Sequence, residues 1–112
     1  MSVRVQTWLW IAQRASAAVL ALAVTVHLVT VIYAVRGGLT AAEILGRLQG
    51  NVAWLIFYSV FVVAAAVHAP IGLRTILVES FPRSPRFADA AGGVLLILIL
   101  VMGLRAVLGL YG

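Results

Sequence analysis

The sequence predicts an all-α membrane protein with three transmembrane helices, and three observations support this fold class. Of the 112 residues, 64% are hydrophobic and 10% are charged, whereas a soluble domain carries about 25% charged residues. The mean hydropathy is +1.16, and so short a chain cannot bury that much apolar surface in water. Apolar runs long enough to span a bilayer, which takes roughly 20 residues, can be placed at three points in the sequence, two of them uncharged and the third interrupted only by Arg105.

The first span lies in the N-terminal third of the chain. Its uncharged run is Ala15–Val35, and Trp8 and Trp10 precede it as expected anchors in the membrane interface. Gly37 follows as a helix stop, so we predict a helix over about residues 8–35. The next residues, Thr40–Leu48, predict a brief amphipathic helix at the membrane surface, with Ala41, Ile44, Leu45 and Leu48 on one side.

The second and third spans complete the chain. The second is predicted over about residues 52–78 and the third over about residues 88–110. Pro82 and Pro85 prevent a continuous helix between them. Since the sequence has no repeat and no room for a second domain, we expect residues 1–112 to form one transmembrane domain.

The distribution of arginines predicts the orientation. Five lie at the N-terminus and the connection between the second and third spans: Arg4, Arg14, Arg74, Arg83 and Arg86. Three lie at the opposite ends of the spans: Arg36, Arg47 and Arg105. Because basic residues concentrate on the inner side, we predict the N-terminus inside and the C-terminus outside.

The composition excludes several classes of site and partner. Cysteine is absent, which excludes disulfides, cysteine-ligated zinc and iron–sulfur clusters held by this chain. The net charge of +5 comes from arginines that stand singly at the edges of apolar runs. Nucleic-acid binding calls for a basic run with interleaved aromatic residues. We therefore predict contacts with membrane lipid and none with nucleic acid.

Two histidines are the exceptional side chains of the predicted spans. His27 and His68 are surrounded mainly by small and aliphatic residues, and an ionisable group in hydrocarbon is costly and marks a functional site. Neutral imidazole is an axial ligand of haem iron, so both histidines are candidate haem ligands. Proton handling and interhelical hydrogen bonding remain open alternatives. The small residues beside His68, Gly72 among them, suit either a flat macrocycle or tight helix packing.

Counting residues along each helix separates the two histidines in depth. At 1.5 Å of rise per residue, His27 lies about 13 Å below Arg36, and His68 lies about 25 Å below Asn51 at the same end. The resulting offset of about 12 Å makes them poor ligands for one iron. The sequence therefore predicts two haems at separate depths, each completed by a histidine from another chain, as half of a six-helix dimeric bundle.

Two motifs carry a resemblance that covers nearly the whole chain. The run Gln13–Ser16 resembles the His-Arg-x-Ser-type start of the cytochrome b subunits of succinate dehydrogenases and fumarate reductases. The stretch Val67–Glu79 resembles their second-helix pattern His-x-x-x-Gly-(Ile/Leu)-Arg-His-x-x-x-(Asp/Glu). Thr75 replaces the second histidine of that pattern, so a role for that histidine near a propionate or quinone is not carried over.

The resemblance implies roles for the histidines. It makes His68 an axial ligand of a haem b, and it likens His27 to the outer-haem ligand of two-haem members. Arg36 and Arg105 could pair with the propionates of the outer haem, or they could extend to the membrane surface without a partner.

Further positions are implied to surround the quinone or the inner haem. Arg14 and Ser16 correspond to residues that approach the quinone, although Arg14 is equally explained as an inside-positive anchor. Arg74 and Gly72 correspond to the surroundings of the haem or quinone. Trp10 occupies the place of a quinone-contacting serine found in some members.

The implied function is that of a haem b-binding membrane anchor of succinate:quinone oxidoreductase or fumarate reductase, in electron transport and the tricarboxylic acid cycle. The chain itself would hold no dicarboxylate site. Its expected partners are a flavoprotein subunit, an iron–sulfur subunit and a second three-helix anchor, either another copy or a homologous subunit. A bacterial-type inner membrane is the expected location.

Two alternatives stay open from the sequence. The first is a haem-free anchor of the same complex that binds only quinone. The second, from another class, is a small helical transport or assembly component whose histidines handle protons or hold helices together.

Overall fold

A computed structural model describes all 112 residues, which form four α-helices and no strands. These are α1 (Val3–Arg36), α2 (Ala41–Leu48), α3 (Val52–Ser80) and α4 (Pro85–Tyr111). The three long helices, α1, α3 and α4, have the length and apolar composition needed to cross a membrane. The predicted all-α fold with three spans is therefore confirmed.

Two helices begin earlier than the sequence predicts. α1 begins at Val3 rather than near residue 8, because the Ser2 hydroxyl caps it by accepting a hydrogen bond from the Val5 amide at 3.2 Å. α4 begins at Pro85 rather than near residue 88, because proline lacks an N–H that the first helical turn would leave unpaired anyway. α3 begins at Val52 as predicted, capped by the Asn51 carboxamide.

The short helix α2 is present where the amphipathic pattern predicts it. The Thr40 hydroxyl accepts from the Glu43 amide at 3.2 Å and caps its N-terminus. Gly38 and Gly50 flank α2 with φ of 65° and 68°, a backbone conformation that glycine adopts without steric cost. The Gly50 amide donates to the Tyr111 carbonyl at 2.9 Å, which ties this connection to the C-terminal end of α4.

The spans are arranged with α3 in the middle, in contact with both α1 and α4. The molecule is elongated, with extents of 51 × 23 × 22 Å. We call the end that carries α2 and Tyr111 the α2 end, and the end that carries the N-terminus and Phe81–Ser84 the proline-turn end. Only 8 of 112 residues are buried, so most of the apolar surface is open to lipid or to another subunit.

Small residues allow α4 to approach α3 closely. Ala88 is completely buried, and a Cβ added at Gly92 would lie 3.4 Å from the Pro70 carbonyl oxygen. A Cβ added at Gly103 would lie 2.6 Å from a methyl group of Val62. Small residues at helix contacts are typical of membrane proteins, where van der Waals packing drives association.

We expect Gly103→Ala to lower the free energy of unfolding by about 1–3 kcal/mol, the usual cost of overpacking. The new methyl group would overlap Val62, and a β-branched side chain has few alternative rotamers in a helix. Gly109→Ala is the matched control because a Cβ there meets nothing within 4 Å. Thermal unfolding of the detergent-solubilised complex measures both changes, and equal midpoints for the two variants would contradict this packing.

Candidate functional site

Both histidines lie where α1 and α3 meet, at different levels of the contact. His68 on α3 lies beside Ser16 of α1, whereas His27 on α1 lies beside Tyr58 of α3. Eleven residues separate Ser16 from His27 along α1, which corresponds to about 16 Å of helix rise. The contacts thus give two separate levels, as counting along the sequence indicates, with the His68 level nearer the proline-turn end.

The His68 level is built around a buried serine. Ser16 is only 6% exposed, and its Oγ lies 3.1 Å from the Gln13 carbonyl oxygen and 3.4 Å from His68 Nδ1. His68 itself is half-buried in the middle helix. Its Nε2 has no hydrogen-bond partner within the chain, which leaves that nitrogen available to a ligand.

The His27 level opens into a groove at the α2 end with a volume of about 520 Å³. His27 Nδ1 lies 3.4 Å from the Tyr58 hydroxyl, and its ring packs edge-on against Tyr58 and Phe61. Trp54 lines the same groove. The groove therefore has an apolar and aromatic wall around one exposed imidazole.

The arginine in the His27 groove is Arg47 of α2. Its guanidinium lies 5.8 Å from the centre of the Tyr33 ring, which also lines the groove. Arg36 and Arg105, the arginines considered as partners of the outer-haem propionates, do not line this groove. Sequence reasoning missed Arg47, although it is the one basic residue of a predicted amphipathic helix.

A second groove lies between α1 and α3 at the proline-turn end, with a volume of about 680 Å³. It brings together three of the residues predicted to surround the quinone or haem: Arg14, Gly72 and Arg74. Trp10 and Thr75 line it as well. We call it the Arg14 groove.

Ser16 is the predicted quinone residue that the Arg14 groove does not include. It lies deeper in the α1–α3 contact, against His68. Its quinone role stays a prediction, and its observed contact is with the histidine.

The two arginines of the Arg14 groove differ in their pairing. Arg74 Nε donates to Asp89 Oδ1 at 2.6 Å, and this ion pair joins α3 to α4. Arg14 has no ion pair and lies 5.4 Å from the centre of the Trp10 ring. Arg14 is thus the arginine free to meet a ligand there, whereas Arg74 is already partly neutralised.

Gln13 is a groove residue that sequence reasoning did not assign a role. Its Oε1 is buried without a hydrogen-bond donor, and its Nε2 would lie 3.4 Å from a Cβ at Gly72. A buried carbonyl oxygen without a donor costs about 1–3 kcal/mol. A ligand that donates a hydrogen bond to this oxygen would recover that energy.

The two levels offer single imidazoles rather than a cluster of metal-ligating side chains. No three His, Asp or Glu side chains come together to hold an ion. Each level offers one imidazole, which fits an iron whose four equatorial ligands belong to a porphyrin. Each histidine could therefore supply one protein ligand to such an iron.

Comparison with known proteins identifies the family to which this chain belongs. The family described as succinate dehydrogenase/fumarate reductase transmembrane subunit matches residues 1–106. No curated protein and no solved structure matches the chain. The match covers α1, α2, α3 and most of α4, and it includes both histidines and the Arg14 groove. The chain therefore belongs to the succinate dehydrogenase/fumarate reductase transmembrane subunit family and is an integral membrane protein.

Proposed function

We propose that this chain is the haem b-binding anchor of a succinate:quinone oxidoreductase or fumarate reductase, which passes electrons between an iron–sulfur subunit and membrane quinone. One observation carries the proposal. The only two histidines in the chain both lie at the α1–α3 contact, at separate levels, and each has a ring nitrogen without a partner in the chain.

The residues at both levels fit a haem. His68 and His27 would each hold a haem iron through Nε2, because Nδ1 lies near a hydroxyl in both cases. Arg47, which shares a groove with His27, would face the propionates of the outer haem. When bound, haem supplies one-electron transfer, and the apolar helix faces exclude water and tune its potential.

A second three-helix subunit completes the proposed sites. This chain offers only one histidine at each level, so a second polypeptide has to supply the opposing imidazole. The exposed apolar faces of α1 and α3 are available to such a partner. A homodimer with a twofold axis along the membrane normal would pair each histidine with its own copy, and a homologous anchor would pair it with an equivalent residue.

The Arg14 groove is the proposed quinone site. Arg14 is free to donate a hydrogen bond to a quinone carbonyl, and the unpaired Gln13 Oε1 is free to accept one from a quinol hydroxyl. Dicarboxylate chemistry would take place in a flavoprotein subunit, and an iron–sulfur subunit would deliver electrons to this end of the anchor. This arrangement agrees with the proposed orientation, in which the proline-turn end lies on the inner side of the membrane. The proposed membrane is a bacterial-type inner membrane.

A haem-free quinone anchor is the second candidate, because neither histidine lines the Arg14 groove. Purification of the intact complex distinguishes the two. We expect a flavoprotein and an iron–sulfur protein to co-purify, with a b-type band in the reduced-minus-oxidised spectrum. Co-purification without that band would favour the haem-free anchor, and absence of both soluble subunits would contradict both candidates.

A further inference from the structure

We infer that Ser16 is the positioning residue of His68, which holds the imidazole with its proton on Nδ1 and its lone pair on Nε2. The inference rests on the proposed function, in which His68 is the ligand of the inner haem. It concerns how this chain prepares that ligand before any iron is bound.

The tautomer follows from counting hydrogens. The Ser16 hydroxyl has one hydrogen and two candidate acceptors, and we assign that hydrogen to the nearer one, the Gln13 carbonyl oxygen at 3.1 Å, which can only accept. With the hydroxyl hydrogen on that carbonyl, His68 Nδ1–H donates to Ser16 Oγ across the 3.4 Å contact. A neutral imidazole with hydrogen on Nδ1 carries its free lone pair on Nε2.

The location of Ser16 makes it suited to this task. Its side chain is almost fully buried between α1 and α3, and its bond to the carbonyl three residues earlier restrains the hydroxyl. His68 has no other hydrogen-bond partner in the chain. The acceptor that fixes the ring is therefore built into the opposite helix and is protected from water.

A hydrogen-bond acceptor beside Nδ1 also changes how strongly the His68 imidazole binds iron through Nε2. Hydrogen bonding of the non-ligating N–H makes the imidazole more basic and fixes the ring orientation. A more basic axial ligand stabilises ferric over ferrous iron, so loss of the Ser16 acceptor is expected to raise the reduction potential of the inner haem.

The test compares Ser16→Ala with two matched variants in the intact complex. We expect Ser16→Ala to weaken retention of the inner haem about 10- to 100-fold, the usual cost of losing such a partner, and to raise its reduction potential. Ser16→Thr keeps a hydroxyl and is expected to restore both properties. Ser59→Ala removes a hydroxyl from α3 that makes no hydrogen bond to either histidine, and it should leave haem content, spectrum and potential unchanged.

Each outcome has a defined meaning. If Ser16→Ala keeps the wild-type potential and spectrum while His68→Ala removes the inner haem, the positioning role is wrong and the proposed ligand stands. If His68→Ala leaves the inner haem in place, the ligand assignment itself is wrong. If Ser16→Ala does not assemble, Ser16→Thr is compared with Ser16→Val, because valine has nearly the shape of threonine but lacks the hydroxyl. Equal reduction potentials of the inner haem in those two variants overturn the inference.

Discussion

Replacing His68 with Ala is expected to remove one haem b from the complex, and replacing His27 with Ala is expected to remove a different one. The two side chains contact different partners at separate levels of the α1–α3 contact, so they cannot serve one iron. Each variant should lose half of the haem per flavin, measured as pyridine haemochrome. Redox titration of the difference spectrum should show the loss of a different component in each variant.

The two histidine variants serve as controls for each other. His68→Ala should also weaken assembly more, because His68 is half-buried in the central helix and His27 is exposed in an open groove. Loss of the same single spectral component in both variants would contradict the two-level arrangement.

Replacing Arg14 with Ala is expected to lower quinone reduction about 10- to 100-fold while haem content is retained. A hydrogen bond from a charged donor contributes about 1.5–3 kcal/mol, and Arg14 is the arginine of its groove that has no carboxylate partner. Steady-state succinate:quinone activity measures the effect, normalised to flavin. Succinate oxidation with a soluble dye should stay at the wild-type rate, because the dye accepts electrons before the anchor.

Arg4→Ala is the matched control for Arg14. Arg4 is an exposed arginine of α1 near the same end of the molecule, but it does not line the groove. If both variants lowered quinone activity equally, the effect would be general membrane anchoring rather than a contact with quinone.

The positions of the three membrane spans were predictable because local runs of apolar residues determine them. Long uncharged runs cross a bilayer whatever their partners are, and Pro82 and Pro85 can end a helix without any tertiary contact. Rise along a helix is equally regular, so the separation of His27 and His68 could be counted from residue positions. These features depend only on local geometry and on the solvent.

The contacts across helices were not predictable in the same way. Ser16 and His68 are 52 residues apart, and their meeting depends on the rotation of α1 and α3 about their axes. The ion pair between Asp89 and Arg74 likewise depends on how closely α4 approaches α3. Arg47 lines the His27 groove because of the direction in which α2 runs. That direction depends on the turns at Gly38 and Gly50 and on the hydrogen bond from the Gly50 amide to the Tyr111 carbonyl.

The most direct measurement is the ratio of haem b to flavin in the purified wild-type complex. If imidazoles at two depths each bind an iron with help from a second anchor, the ratio is two, with two separable components in a redox titration. A complex with full flavin and iron–sulfur content but one haem or none would contradict that arrangement.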